Sequence, residues 1–177
     1  MKKVIAFAGS NSKHSINKQL VTYASSLVEN NEVSILDLND FELPLFGVDL
    51  EAEIGGQPKN AHKFLSHIEM ADGIIVSLAE HNGAYSTAFK NLLDWMSRIE
   101  GKTFYGKPML LMATSPGARG GKSVLGMAQD RFPRHTANIT GAFSLPSFNA
   151  NFTNGKINDP ELNAVLKEEI KSFQEAL

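Results

Sequence analysis

The chain has 177 residues, with 42% hydrophobic and 20% charged side chains, 14 glycines and 7 prolines. That balance fits one globular domain rather than a disordered or collagen-like chain. It contains no cysteine, which excludes disulfides, cysteine-ligated metals and thiol redox chemistry, so any redox activity must use a bound cofactor. A formal charge of −2 gives no general attraction to nucleic acid or to an anionic membrane.

The opening residues Met1–Ala8 imitate the charged start of a signal peptide, but the apolar run breaks at Gly9-Ser10-Asn11. It is too short for an export signal, and no segment approaches the roughly 18 apolar residues of a span, so a cytoplasmic protein without a membrane partner is expected. Residues 3–8 read as a strand buried on both faces. Residues 15–29 have helical spacing, with Ile16, Leu20, Ala24, Leu27 and Val28 on one stripe. A second, shorter strand is expected around Val33, Ile35 and Leu38, and Phe41 to Gln57 reads as irregular.

Helical spacing returns over 59–70, followed by a strand at 73–78 and a helix over 84–99. A fourth strand at 108–113 runs into Ser115-Pro116-Gly117-Ala118-Arg119-Gly120-Gly121, which belongs to neither helix nor strand. Residues 122–131 read as helix and 136–143 as a weaker fifth strand. A last helix opens at Asn158-Asp159-Pro160, an Asp cap before a Pro at the first helical position. This alternation predicts a single α/β domain over 1–177, a parallel sheet with helices on both faces. Ligands of such sheets bind beyond the carboxyl ends of the strands, which directs attention to the loops after strands one, three and four.

Loop one, Gly9-Ser10-Asn11-Ser12-Lys13-His14-Ser15-Ile16-Asn17, offers hydroxyls, one cation and the N–H groups of a helix start. Those groups suit a phosphate, while a polar turn with Ser15 as helix cap is the plainer alternative. The pattern is not Gly-x-Gly-x-x-Gly, which disfavours a Rossmann dinucleotide site. Loop three carries Glu80-His81-Asn82-Gly83 directly after the third strand. Loop four, Pro116-Gly117-Ala118-Arg119-Gly120-Gly121-Lys122-Ser123, departs from a nucleotide-binding P-loop only at Pro116. Proline lacks the N–H and the conformational freedom needed there, and no later strand ends in an Asp for magnesium, so an NTPase is disfavoured. The five histidines show no metal-ligand spacing, and no metal site is expected.

Gly9-Ser10-x4-Ser15-x-Asn17-x2-Leu20, Glu80-x-Asn82-Gly83, Lys90-Asn91-x2-Asp94-Trp95 and Ser115-x-Gly117-x2-Gly120-Gly121 together resemble the NADPH-dependent FMN reductase family. This chain has Lys13 where the family commonly has Arg, and Ala79, His81 and Ala84 where Pro, Tyr and Ser are usual. The resemblance implies a flavodoxin-like three-layer α/β/α sandwich with a five-stranded parallel sheet in the order 2-1-3-4-5. It implies bound FMN, with Ser10, Lys13, Ser15, Ile16 and Asn17 at the phosphate. Glu80, His81, Asn82, Gly83, Ser115 and Gly117 would frame the ring. Arg119 would meet the phosphates of a nicotinamide cofactor or lie in solvent.

NADPH or NADH would be the co-substrate, and a quinone, azo, chromate or flavin acceptor would be reduced by ping-pong. The flavin carries the chemistry, so no catalytic side chain is assigned. The loop Leu43–Glu51 would edge the flavin site and contribute to a homodimer or homotetramer. The alternative on the same fold is a flavodoxin-type electron carrier, which would have a different phosphate loop and a markedly acidic surface.

Overall fold

Strands apolar on both faces need cover on both faces. The computed structural model, which describes residues Met1–Leu177, supplies that cover with helices on each side of one sheet. In chain order the elements are β1 (Lys3–Gly9), α1 (Ile16–Ser26), β2 (Glu32–Leu36), a 3₁₀ turn (Leu38–Phe41), α2 (Val48–Glu53) and α3 (Lys59–Met70). Then come β3 (Gly73–Leu78), β4 (Glu80–His81), β5 (Ala84–Tyr85), α4 (Thr87–Ile99), β6 (Pro108–Thr114) and α5 (Lys122–Arg131). A second 3₁₀ turn (Phe132–His135) leads to β7 (Asn138–Leu145), α6 (Phe148–Asn151), β8 (Phe152–Thr153), β9 (Lys156–Ile157) and α7 (Pro160–Glu175).

The main sheet runs β2-β1-β3-β6-β7 with every neighbour parallel. Counting only its own strands, this is the flavodoxin-like order 2-1-3-4-5. The two-residue period of the strands sorts the core. Val4, Ala6, Ile75, Leu110 and Met112 face α1 and α7, while Ile5, Phe7, Ile74, Val76 and Leu111 face α3, α4 and α5. Gly9 pairs with Leu78 and Leu78 with Ala113, so the strands end level and loops one, three and four emerge side by side. The chain order reverses between β1 and β3, the place where such sheets open a crevice.

Several local expectations change. Leu38 is not in β2 but starts the 3₁₀ turn, because Asp37 accepts the Asn39 N–H at 2.9 Å and curls the chain away from the sheet edge. The stretch from Phe41 to Gln57 is not wholly irregular, since α2 forms within it. Glu51 holds that short helix through Arg98 at 2.9 Å and Gln57 at 2.8 Å.

The helix expected from residue 84 begins only at Thr87, because Ala84 and Tyr85 pair back on Glu80 and His81 as a hairpin. Asn82 (φ 52°) and Gly83 (φ 77°) form its left-handed two-residue turn, a geometry that Asn-Gly adopts at little cost. A second Asn-Gly hairpin, Phe152–Ile157, closes the other face, with Phe152 stacked on Phe148 at 4.7 Å. The fifth strand lies two residues later than expected and carries an irregularity opposite Met109 and Leu110. There Glu169 accepts the Ala142 N–H at 2.9 Å.

Candidate functional site

Loop one turns tightly after β1. Ser10 accepts the Ser12 N–H at 3.2 Å, Ser12 accepts the His14 N–H at 3.3 Å, and Ser15 caps α1 by accepting the Lys18 N–H at 3.1 Å. Each hydroxyl is thereby oriented as an acceptor and retains its own proton to donate. The N–H groups of Ile16 and Asn17 donate to no protein acceptor, so the positive end of the α1 dipole opens onto the crevice. Lys13 is exposed and forms no ion pair, whereas Lys18 is bound to Asp37. Burial alone would raise the Asp37 carboxyl, but hydrogen bonds from Lys18 and Asn39 outweigh it and hold its pKa below the usual value. The loop therefore has one free cation beside two free N–H groups and three hydroxyls, the donor set a phosphate monoester requires.

Asn17 is placed at this loop but its side chain does not face the crevice. It is 2% exposed, donates to the Thr114 carbonyl at 3.2 Å, and accepts from the Thr114 N–H at 3.0 Å and the Ser77 hydroxyl at 2.7 Å. Thr114 in turn donates to the Leu145 carbonyl at 2.7 Å. One buried amide thus ties the start of α1 to the ends of β3 and β6. Its contribution to an anion is its backbone N–H and the position it imposes on the helix. Ser77 and Thr114 are partners that the sequence did not mark, because nothing local distinguishes them from other strand residues.

The hairpin after β3 carries Glu80, His81, Asn82 and Gly83. Gly83 is required for its positive φ, since a side chain added there would meet nothing closer than 4.0 Å. Glu80 reaches across to α5, where its carboxylate accepts the Val124 N–H at 3.0 Å. Ser86 links the hairpin to loop one, accepting the Phe89 N–H at the start of α4 and donating to the Gly9 carbonyl at 2.8 Å. A Ser placed three residues before a helical Phe is a capping signal that could have located this start.

In loop four, Ser115 and Gly117 are tied to the segment that follows β7. Their carbonyls accept from Phe148 at 3.1 Å and Ser147 at 2.9 Å. Gly117 has open space around it, while Gly120 (φ 58°) is pressed so closely on Leu145 that a Cβ would sit 2.8 Å from its backbone. Gly120 therefore serves packing on β7, and Gly121, where a Cβ would lie 2.9 Å from Ala113, serves packing on β6. Arg119 is exposed and donates to Ser123 at 3.2 Å.

On the α4 side lies an open groove of about 770 Å³, lined by Asn11, His81, Thr87, Asn91, Leu43 and Leu45 among others. Its outer wall is the segment after the first 3₁₀ turn, held by the Lys90–Trp95 motif. Asn91 donates to the Pro44 carbonyl at 3.0 Å and accepts the Phe46 N–H at 2.7 Å, while the Trp95 indole donates to Pro44 at 2.8 Å. Trp95 is fully buried, as helix core, yet its N–H also fixes this wall. Beneath the hairpin, the Tyr85 hydroxyl is buried without a hydrogen-bond partner, and burial pushes its pKa up to about 12 against the opposing charge of Arg131.

The NADPH-dependent FMN reductase family model matches residues 2–155. A 2-hydroxy-1,4-benzoquinone reductase of Burkholderia sp. is 33% identical over 120 residues, 67% of this chain and 63% of that protein. A quinone reductase of Escherichia coli strain K12 is 32% identical over 124 residues, with coverage of 67% and 63%. The chain thus spans less than two thirds of the length of these relatives. Among solved structures, the flavoenzyme NAD(P)H:(acceptor) oxidoreductase FerB of Paracoccus denitrificans superposes with a TM-score of 0.77 at 25% identity, covering 99% of this chain and 97% of that one. An apo NADH:FMN oxidoreductase shares the fold with a TM-score of 0.76 at 18% identity, covering 100% and 90%. With the family match extending from β1 through the second Asn-Gly turn, the chain belongs to the NADPH-dependent FMN reductase family.

Proposed function

We propose that the chain is an NAD(P)H-dependent reductase that holds FMN at the carboxyl edge of its sheet and reduces a small quinone-type acceptor. The observation that carries this reading is the open start of α1, where the N–H groups of Ile16 and Asn17 are free at the end of a loop that also carries Ser10, Ser15 and Lys13, a cation in no ion pair. These residues would hold the phosphate. The hairpin Glu80–Gly83, with Ser115 and Gly117, would orient the ring, and the groove beside His81 and Asn11 would admit donor and acceptor in turn. The chemistry that FMN supplies when bound is hydride relay, from NADPH or NADH in one half-reaction to a quinone, azo, chromate or flavin acceptor in the other.

The quinone preference is supported by the names of the two relatives above. Exposed Leu45 (71%), Val48 (69%) and Ile54 (49%) on the segment edging the groove support a homodimer or homotetramer. No helix is long and apolar enough to cross a membrane. The test is an anaerobic visible spectrum of the FMN-loaded protein. Addition of NADPH or NADH should bleach the flavin, and a benzoquinone should restore the colour. A protein that binds no FMN would overturn the reading, and flavin that neither nucleotide bleaches would mark a carrier.

A further inference from the structure

We propose that Glu80 is a positioning residue: it locks the hairpin to the start of α5 and, through its charge, lowers the reduction potential of the flavin framed by these two loops. The inference rests on the FMN reading above. Three observations converge on it. Glu80 Oε2 accepts the Val124 N–H at 3.0 Å, a contact 44 residues apart in sequence and part-buried. Across the hairpin Glu80 pairs with Tyr85, whose ring is stacked on Phe132 (6.0 Å, 14°) and meets Phe89 edge-on at 5.5 Å, so the base of the hairpin is anchored in the core. The turn itself rests near α5, with a Cβ on Gly83 lying 4.0 Å from Ser123 Cβ.

The charge of Glu80 has no cationic partner, since it joins none of the five ion pairs of the molecule. The start of α5, to which it is bonded, brings only a partial positive charge to it. A fixed negative charge beside a ring that gains electrons opposes that gain, because like charges repel and a part-buried charge is screened less than an exposed one. One side chain therefore holds two loops together and biases the cofactor toward its oxidised form.

The bond and the charge separate cleanly in two variants. Glu80→Gln keeps a carbonyl oxygen for Val124 and removes the charge, whereas Glu80→Ala removes both. Amide exchange at Val124, measured without cofactor, reads the lock. FMN affinity by fluorescence quenching and potential by equilibration with a reference dye read the consequence. Glu80→Gln should keep Val124 protected and give the bound flavin a more positive potential. Glu80→Ala should lose about tenfold protection at Val124, the scale of one hydrogen bond to a charged group, and should bind FMN more weakly. An unchanged potential in Glu80→Gln would overturn the role of the charge, and unchanged protection in Glu80→Ala would overturn the lock. If the parent protein takes up no FMN, the cofactor reading fails while the exchange measurement still decides the lock.

Discussion

Two helices, α1 and α5, begin at the same edge of the sheet, and their sequences and structures point in opposite directions. The approach to α5, Gly117-Ala118-Arg119-Gly120-Gly121-Lys122-Ser123, looks more like a phosphate loop than the serine-rich approach to α1 does. Yet at α5 the Lys122 N–H is bonded to Arg119 at 3.1 Å and the Val124 N–H to the Glu80 carboxylate at 3.0 Å, so a negative group already occupies that end. At α1 the Ser15 hydroxyl caps Lys18 alone and leaves the Ile16 and Asn17 N–H groups unbonded. Anion affinity at a helix start thus depends on which donors the rest of the fold leaves unspent, more than on glycine and lysine content.

The strongest test removes the anchor of the open end. Asn17→Leu would strand the Ser77 hydroxyl and both polar groups of the Thr114 backbone in the core. Each lost partner costs about 1–3 kcal/mol, so denaturant unfolding should show a loss of roughly 3 kcal/mol or more. A loss below about 1 kcal/mol would mean that the start of α1 is held by something else. Charge reversal compares the two ends directly. Lys13→Glu should weaken FMN binding about 10- to 100-fold by titration, while Lys122→Glu changes it less than about threefold. Equal effects would erase the distinction between the two helices.

A smaller effect is expected where the hairpin packs beneath the closed end. Tyr85→Phe deletes a buried hydroxyl that has no partner, so stability should hold or rise by about 1 kcal/mol in thermal unfolding. With the Tyr85 pKa raised to about 12, its neutral form is favoured in the fold, and that contribution is complete below the ordinary tyrosine value near 10. It should be lost as pH rises from 10 through 12, and an ultraviolet titration should show a late tyrosine that vanishes in the variant, apart from Tyr105, which burial also raises. The smallest effect belongs to the wall of the groove. Hydrogen bonds from Arg98 and Gln57 lower the Glu51 pKa, so the hold on α2 is present at neutral pH and fades as pH falls below the usual carboxylate range. Amide exchange over 48–54 should quicken at pH 3 and should depend less on pH in Arg98→Met, where only the Gln57 bond remains, after correction for intrinsic rates.

Much of this molecule is determined by local sequence. Alternating apolar runs and helical stripes place the five sheet strands and the long helices, because burial on one or two faces imposes periods of 2.0 and 3.6 whatever the partner. Asn82-Gly83 also carried the hairpin in plain view, since a left-handed two-residue turn is a property of those residues themselves. Tertiary structure decided the rest. Whether Asn17 faces a ligand or the core depends on Ser77 and Thr114, the latter 97 residues away. Whether the glycine-rich start of α5 is open depends on Glu80, and whether 43–46 forms a wall depends on Asn91 and Trp95. Donors and acceptors are visible in a sequence, but which of them remain unpaired is settled only when distant segments meet, and the unpaired ones define the candidate site.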